Sequence, residues 1–295
     1  MEDKKIHGSL LMELVRMKKN TFAIVGGDSR SVLLADALKK RGNQVYTLFN
    51  SENISDHLHP VLPLCDVVIL PLPMLDCAGN LNTPLSDISI TPAQFLPYIK
   101  KDATILAGKV PVDPAFDGII DYLEREEFSV YNAALTAEAA IEIALKELPI
   151  SLMGSTCVIT GYGRIAKALA KNLDGFSANT RIVTHKHCET AWAKTAGFAV
   201  FPFTDIAGAL TDADIVFNTV PSVVLGHDEL EKLSPECLVV DLASYPGGVD
   251  FSAANKLQRK TIHALALPGK TAPIAAAGIM LDTIMNILTE RLDTQ

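Results

Sequence analysis

Short β-branched apolar runs alternate along the chain with longer segments whose apolar residues recur every three or four positions. That combination builds parallel strands covered by helices. In the first half the runs predict strands at 22–25, 44–49, 66–70, 103–107 and 129–131. In the second half they predict strands at 156–160, 181–184, 199–201, 215–218, 238–241 and 261–265. Between the halves runs "NAALTAEAAIEIALKELP", Asn132 to Pro149, rich in strong helix formers and stopped by its proline. A helix there joins the two sheets, and a last apolar helix at 272–292 is expected to cross back. The expected fold class is α/β, with two Rossmann-like doubly wound parallel-sheet domains joined by helical connectors. The expected boundaries are 1–132 for the first domain, with the helix at 272–295 packing back onto it, and 133–271 for the second.

The chain has 295 residues, 48% of them apolar and 20% charged, enough for two ordinary cores. Its formal net charge of −8, with no segment dense in Lys or Arg, argues against nucleic acid or an anionic membrane as the main partner. The first twenty residues lack an apolar core of signal-peptide length and read as a short amphipathic helix. No uninterrupted apolar run reaches the roughly 20 residues that span a bilayer. Five dispersed cysteines fit a reduced, cytoplasmic protein.

Two strand–turn–helix segments compete as a nucleotide loop. "CVITGYGRIAKAL" (157–169) carries Gly161-Tyr162-Gly163-Arg164-Ile165-Ala166, a Gly-x-Gly-x-x-Ala turn between a strand and a helix. The first glycine permits the tight turn, the second lets a pyrophosphate approach, and the helix N-terminus offers N–H groups to it. The strand after it ends in Thr184, His185 and Lys186, with no acid until Glu189. Hydroxyl, imidazole and ammonium suit a 2′-phosphate, so NADP is the expected cofactor, with NAD possible. The earlier turn, Gly26-Gly27-Asp28-Ser29-Arg30, lacks the second glycine spacing and places a carboxylate where a phosphate would lie. This half is expected to hold substrate instead, with Arg30 as a carboxylate clamp.

Polar residues gather at three further strand tips, where open α/β sheets bind their ligands. These are Asn218, Thr219, Val220 and Pro221 with Ser222, then Asp241, Ala243 and Ser244 before Pro246-Gly247-Gly248, and Lys270 before the last helix. In the first half the long loop at 69–84 contributes Asn80. His57-x-His59 and His185-x-His187-Cys188 lack the further ligands a zinc site needs, so no metal is expected.

The ordered set "VGGDSR", "ILPLP", "YNAALTAEAAIEIAL", "GYGRIAKALA", "FNTVPSVVL", "DLASYPGGVDF" and "LALPGKTAPIAAAGIM" resembles the family of the dipicolinate synthase A subunit over nearly the whole chain. The resemblance implies a fold like the two-domain formate/glycerate and alanine dehydrogenases. It also implies NADP-linked oxidation of dihydrodipicolinate to dipicolinate in sporulation, with a flavoprotein-like B subunit of dipicolinate synthase, in the mother cell of a spore former. A homo-oligomer is expected as well. The chain departs from the family in carrying Tyr245 where an arginine is usual, Leu135 and Ala139 where the family has Pro and Gly, and an altered segment around Lys270.

The cofactor-binding expectation is thus Gly161, Tyr162, Gly163, Arg164, Ile165, Thr184, His185, Lys186, Asn218, Thr219, Val220, Pro221, Asp241 and Ala243. Ser29, Arg30, Asn80, Thr136, Ser222 and Ser244 are the candidate substrate contacts, and Glu138 and Lys270 the candidate catalytic groups. Two rivals stand beside this reading. One is a related dehydrogenase of another small amino or hydroxy acid, the other a non-catalytic NADP-binding scaffold.

Overall fold

The computed structural model describes residues 20–49 and 58–293, so the expected amphipathic helix at the N-terminus and His57 lie outside the described residues. The chain divides into two compact units, Met1–Ser129 with Pro273–Gln295, and Val130–Ala272.

The first unit holds strands β1 (Thr21–Val25), β2 (Gln44–Leu48), β3 (Val67–Ile69), β4 (Thr104–Ala107) and β5 (Ile120–Asp121), all parallel, in the order β2-β1-β3-β4-β5. Strand side chains alternate between faces, and β1 shows the result. Phe22 and Ile24 enter a core shared with the helices Ser29–Lys40 and Pro273–Asp293, while Ala23 and Val25 enter the opposite one with Leu62, Met74 and Phe95. A sheet covered on both faces explains why its strands read as continuous apolar runs. Truncating a buried side chain such as Phe22 or Leu34 costs about 2–5 kcal/mol.

The second unit holds β6 (Thr156–Thr160), β7 (Asn179–Val183), β8 (Ala199–Phe201), β9 (Ile215–Asn218), β10 (Leu238–Asp241) and β11 (Lys260–His263). Their order is β11-β10-β9-β6-β7-β8, again all parallel. Cys157, Ile159, Phe217 and Val240 face the helices Glu126–Glu147 and Arg164–Gly175, and Val158, Val216 and Val239 face the other side. The chain reverses direction across the sheet between β6 and β9, and in the first unit between β1 and β3. The crevice at the carboxyl ends of such a pair is where doubly wound sheets bind ligands.

One expected strand is corrected. Residues 129–131 belong to the helix Glu126–Glu147, and the strand that completes the first sheet is Ile120–Asp121. The run "FSVY" has β-forming side chains, but Phe128 is 2% exposed in the first unit's core and helical spacing continues through Ala133, Ala137, Ala140 and Ala144. Burial at that spacing overrides intrinsic strand preference. No described helix is long and apolar enough to cross a membrane.

Candidate functional site

The turn after β6 is built on Gly161, whose φ of +83° sits in the left-handed region that glycine alone enters freely. A Cβ there would lie 2.7 Å from Thr219 Oγ1, so the turn is pressed against the loop after β9. Thr219 is itself fixed, its hydroxyl donating to the Thr160 carbonyl at 2.7 Å. Gly163 then caps the helix Arg164–Gly175 with no side chain of its own, and a Cβ on it would meet nothing within 4 Å among the described residues. Open space before a bare helix N-terminus is the cradle a pyrophosphate needs, and the residues present fit a dinucleotide.

Not every residue of the fingerprint faces that space. Tyr162 is 4% exposed, with its ring centroid 6.3 Å from that of Phe198, so only its backbone serves the turn. The Tyr162 N–H donates to Glu189 Oε2 at 3.2 Å, and the same oxygen accepts the Thr184 hydroxyl at 2.5 Å. Lys186 Nζ stands 3.1 Å from Glu189 Oε1. Burial pushes the Glu189 carboxyl upward, but the Thr184 hydroxyl, Lys186 and the Tyr162 N–H together hold it below the usual range. His185 is exposed, its ring 5.7 Å from Phe203. Glu189 is missing from the sequence-derived set because it reaches the strand tip only through the first turn of the helix His187–Thr195.

Beneath the neighbouring loops lies a fully buried polar chain. Thr160 Oγ1 donates to Asn218 Oδ1 at 2.5 Å, and Asn218 Nδ2 donates to Asp241 Oδ1 at 2.7 Å and to the Val220 carbonyl at 2.9 Å. Asp241 also accepts the Ala243 N–H at 3.1 Å and the Gly248 N–H at 2.8 Å. Its carboxylate therefore holds the Ser244–Gly248 loop in place. The Val224 and Leu225 N–H groups donate to the Gly248 carbonyl, joining that loop to the one after β9. Ser222 and Ser244 are assigned to these joined loops, where Pro221 and Tyr245 are exposed.

The remaining candidates are more scattered. Glu138 is exposed on the helix Glu126–Glu147, and Thr136 is buried on it with its hydroxyl donating to the Asn132 carbonyl at 2.8 Å. Lys270, expected just before a helix, is instead an exposed residue inside the short helix Leu267–Thr271. In the first unit Ser29 is exposed, and the Asn80 N–H donates to Asp76 Oδ1. Arg30 is 7% exposed, its guanidinium held by Asp28 (Nε to Oδ1 2.9 Å, Nη2 to Oδ2 2.8 Å) and by the Leu72 carbonyl at 2.7 Å. No group of three or more His, Cys, Asp and Glu able to hold a metal occurs among the described residues.

A Rossmann sheet with a bare glycine turn, in a chain that carries a second doubly wound unit, defines an NAD(P)-dependent oxidoreductase of the two-domain dehydrogenase class. Residues 129–267 match the NAD-binding domain of D-isomer specific 2-hydroxyacid dehydrogenases, and residues 21–114 match the N-terminal domain of the dipicolinate synthase A subunit. The chain belongs to the family of the dipicolinate synthase A subunit. It is 26% identical over 285 residues to the A subunit of dipicolinate synthase from Bacillus subtilis (strain 168), covering 91% of this chain and 95% of that one. The crystal structure of the B. subtilis A chain superposes with a TM-score of 0.84 at 24% identity, over 95% of this chain and 99% of that one. The A subunit from Bacillus halodurans gives 0.82 at 23% identity, over 92% and 98%.

Proposed function

We propose that the protein oxidises dihydrodipicolinate to dipicolinate with a nicotinamide dinucleotide, as the A subunit of a complex whose other component is flavoprotein-like. The observation that carries the reading is the uncapped turn Gly161–Gly163, within a chain that aligns along nearly its full length with a dipicolinate synthase component. The bound dinucleotide supplies the hydride acceptor. A hydride and a proton leave the dihydropyridine, and the aromatic pyridine-2,6-dicarboxylate remains, which makes the step favourable. The chain then has to orient a dianion beside the cofactor and take up one proton.

The turn Gly161–Ile165 is assigned the pyrophosphate, and the joined loops after β9 and β10 the nicotinamide end. The Asp241 chain keeps those loops rigid. Ser222, Ser244, Ser29, Asn80 and Thr136 remain proposed substrate contacts. Arg30 is recast as a positioning residue for the β1 turn, because its guanidinium is already engaged by Asp28 and Leu72. Glu138 and Lys270 are the proposed proton acceptors, both exposed to solvent.

The purified chain, incubated with dihydrodipicolinate and each dinucleotide, should generate reduced nicotinamide without the flavoprotein-like partner. Dinucleotide binding without turnover, alone or with the partner, would leave a scaffold. Turnover restricted to small hydroxy or amino acids would overturn the substrate assignment.

A further inference from the structure

On the reading that the Gly161 turn holds a nicotinamide dinucleotide, we propose that Glu189 selects its form and that the form selected is NAD. Thr184, His185 and Lys186, taken as a sequence, offer a hydroxyl, an imidazole and an ammonium to a 2′-phosphate. The fold inserts a carboxylate among them. The helix His187–Thr195 starts directly after Lys186, and its first turn carries Glu189 back over the tip of β7. There it accepts the Thr184 hydroxyl and, from the fingerprint turn itself, the Tyr162 N–H.

The space between the glycine turn and the tip of the following strand is where a Rossmann sheet meets the adenosine ribose. A carboxylate there accepts a 2′-hydroxyl well and repels a phosphate dianion. Movement is no easy escape. The Glu189 side chain is 15% exposed and is tied to a backbone N–H, a hydroxyl and an ammonium. Lys186, which is 59% exposed, can swing toward a phosphate only by withdrawing its charge from Glu189. The cation that favours NADP in the sequence is thus paired to the anion that disfavours it.

The test is an equilibrium titration of the full chain with NADH and NADPH, followed by nicotinamide fluorescence and without substrate. NADH should bind at least about tenfold more tightly, the worth of one charge-assisted hydrogen bond. Glu189→Gln keeps the side-chain shape and should abolish that preference, weakening NADH and strengthening NADPH. Lys186→Met should leave the preference for NADH in place. Tighter NADPH binding by the wild type, a preference unchanged in Glu189→Gln, or loss of NADPH binding in Lys186→Met from a tight starting value would each overturn the assignment. Binding of neither form would overturn the nicotinamide site itself, and the selection with it. A cofactor that binds but supports no turnover of dihydrodipicolinate would overturn only the proposed reaction. Near-UV circular dichroism of each variant separates misfolding from lost affinity, and Lys186→Met, on an exposed side chain, carries the test if Glu189→Gln misfolds.

Discussion

The two units contain the same strand–turn–helix device and end it in opposite ways. After β1 the helix Ser29–Lys40 is capped from within, since Asp28 accepts the Arg30 N–H at 3.0 Å and pairs with its guanidinium. The crevice beside it is filled by the chain itself. A Cβ on Gly26 would meet Thr83 at 2.9 Å, the Asn82 carbonyl at 3.1 Å and Pro71 at 3.2 Å, and one on Gly27 would collide with Ser31. After β6 the cap is a glycine with open space in front of it. A helix N-terminus must find acceptors somewhere. The first turn finds them in its own aspartate, and the second leaves that place for an external anion.

Moving the aspartate should therefore move the property. Gly163→Asp places at the second helix the cap the first one has, at a φ of −79° that any residue accepts. Dinucleotide affinity should fall by about a hundredfold or more, the consequence of a carboxylate where a phosphate binds. Stability to urea should hold or rise by about 0.5–1 kcal/mol from the added cap. Undiminished binding in a titration would show that the dinucleotide lies elsewhere.

The reverse change tests the other side of the contrast. Asp28→Ala removes a cap and leaves the Arg30 guanidinium, 9% exposed, without its carboxylate. Breaking a fully buried pair costs about 3–5 kcal/mol. Asp28 is 34% exposed, so about 2 kcal/mol is expected in urea melts. Dinucleotide affinity should not change. A loss of affinity here would mean that the first turn also serves the cofactor.

How legible each turn is in the sequence follows from the same contrast. Gly-x-Gly-x-x-Ala between a strand and a helix is a local pattern whose function is local, so it can be read directly. Asp28 can be read as hostile to phosphate, again from one residue's charge. The partners of Arg30 cannot, because Leu72 lies 42 positions away and becomes a neighbour only through the pairing of β1 with β3. Glu189 is visible as the next acid along, but its return to the Gly161 turn depends on where a helix begins. Lys270 escapes for a similar reason, a five-residue helix of Leu, Pro, Gly, Lys and Thr that no periodicity announces. The β5 strand is two residues long, too short for any alternation to show.

A smaller effect separates the two turns by pH. The Glu189 carboxyl is pushed up by burial, yet is held below its ordinary 4.5 by Thr184, Lys186 and the Tyr162 N–H. A lowered folded-state value means stability that is present above the unfolded value and lost as pH falls through the folded one. In urea melts the wild type should exceed Glu189→Gln at pH 7, and the gap should narrow as pH drops below about 4.5. A gap independent of pH would show that the carboxylate's charge contributes nothing to its three contacts.

The smallest and most local signal comes from the thiols. Cys65 and Cys157 are buried, with burial raising each to about 11, and Cys237 is raised to about 12. Thiols held that far above neutrality are poor nucleophiles, so a native chain at pH 8 should label at the exposed Cys77 and Cys188. Cys188 lies one residue before Glu189, beside the proposed ribose site, and Cys77 lies in the first unit's loop after β3. Saturating dinucleotide should slow modification of Cys188 severalfold and leave Cys77 unaffected, as read by mass spectrometry of the labelled peptides. Equal protection of both would mean that the ligand acts on the two units alike, and the contrast between a self-capped turn and an open one would no longer account for where it binds.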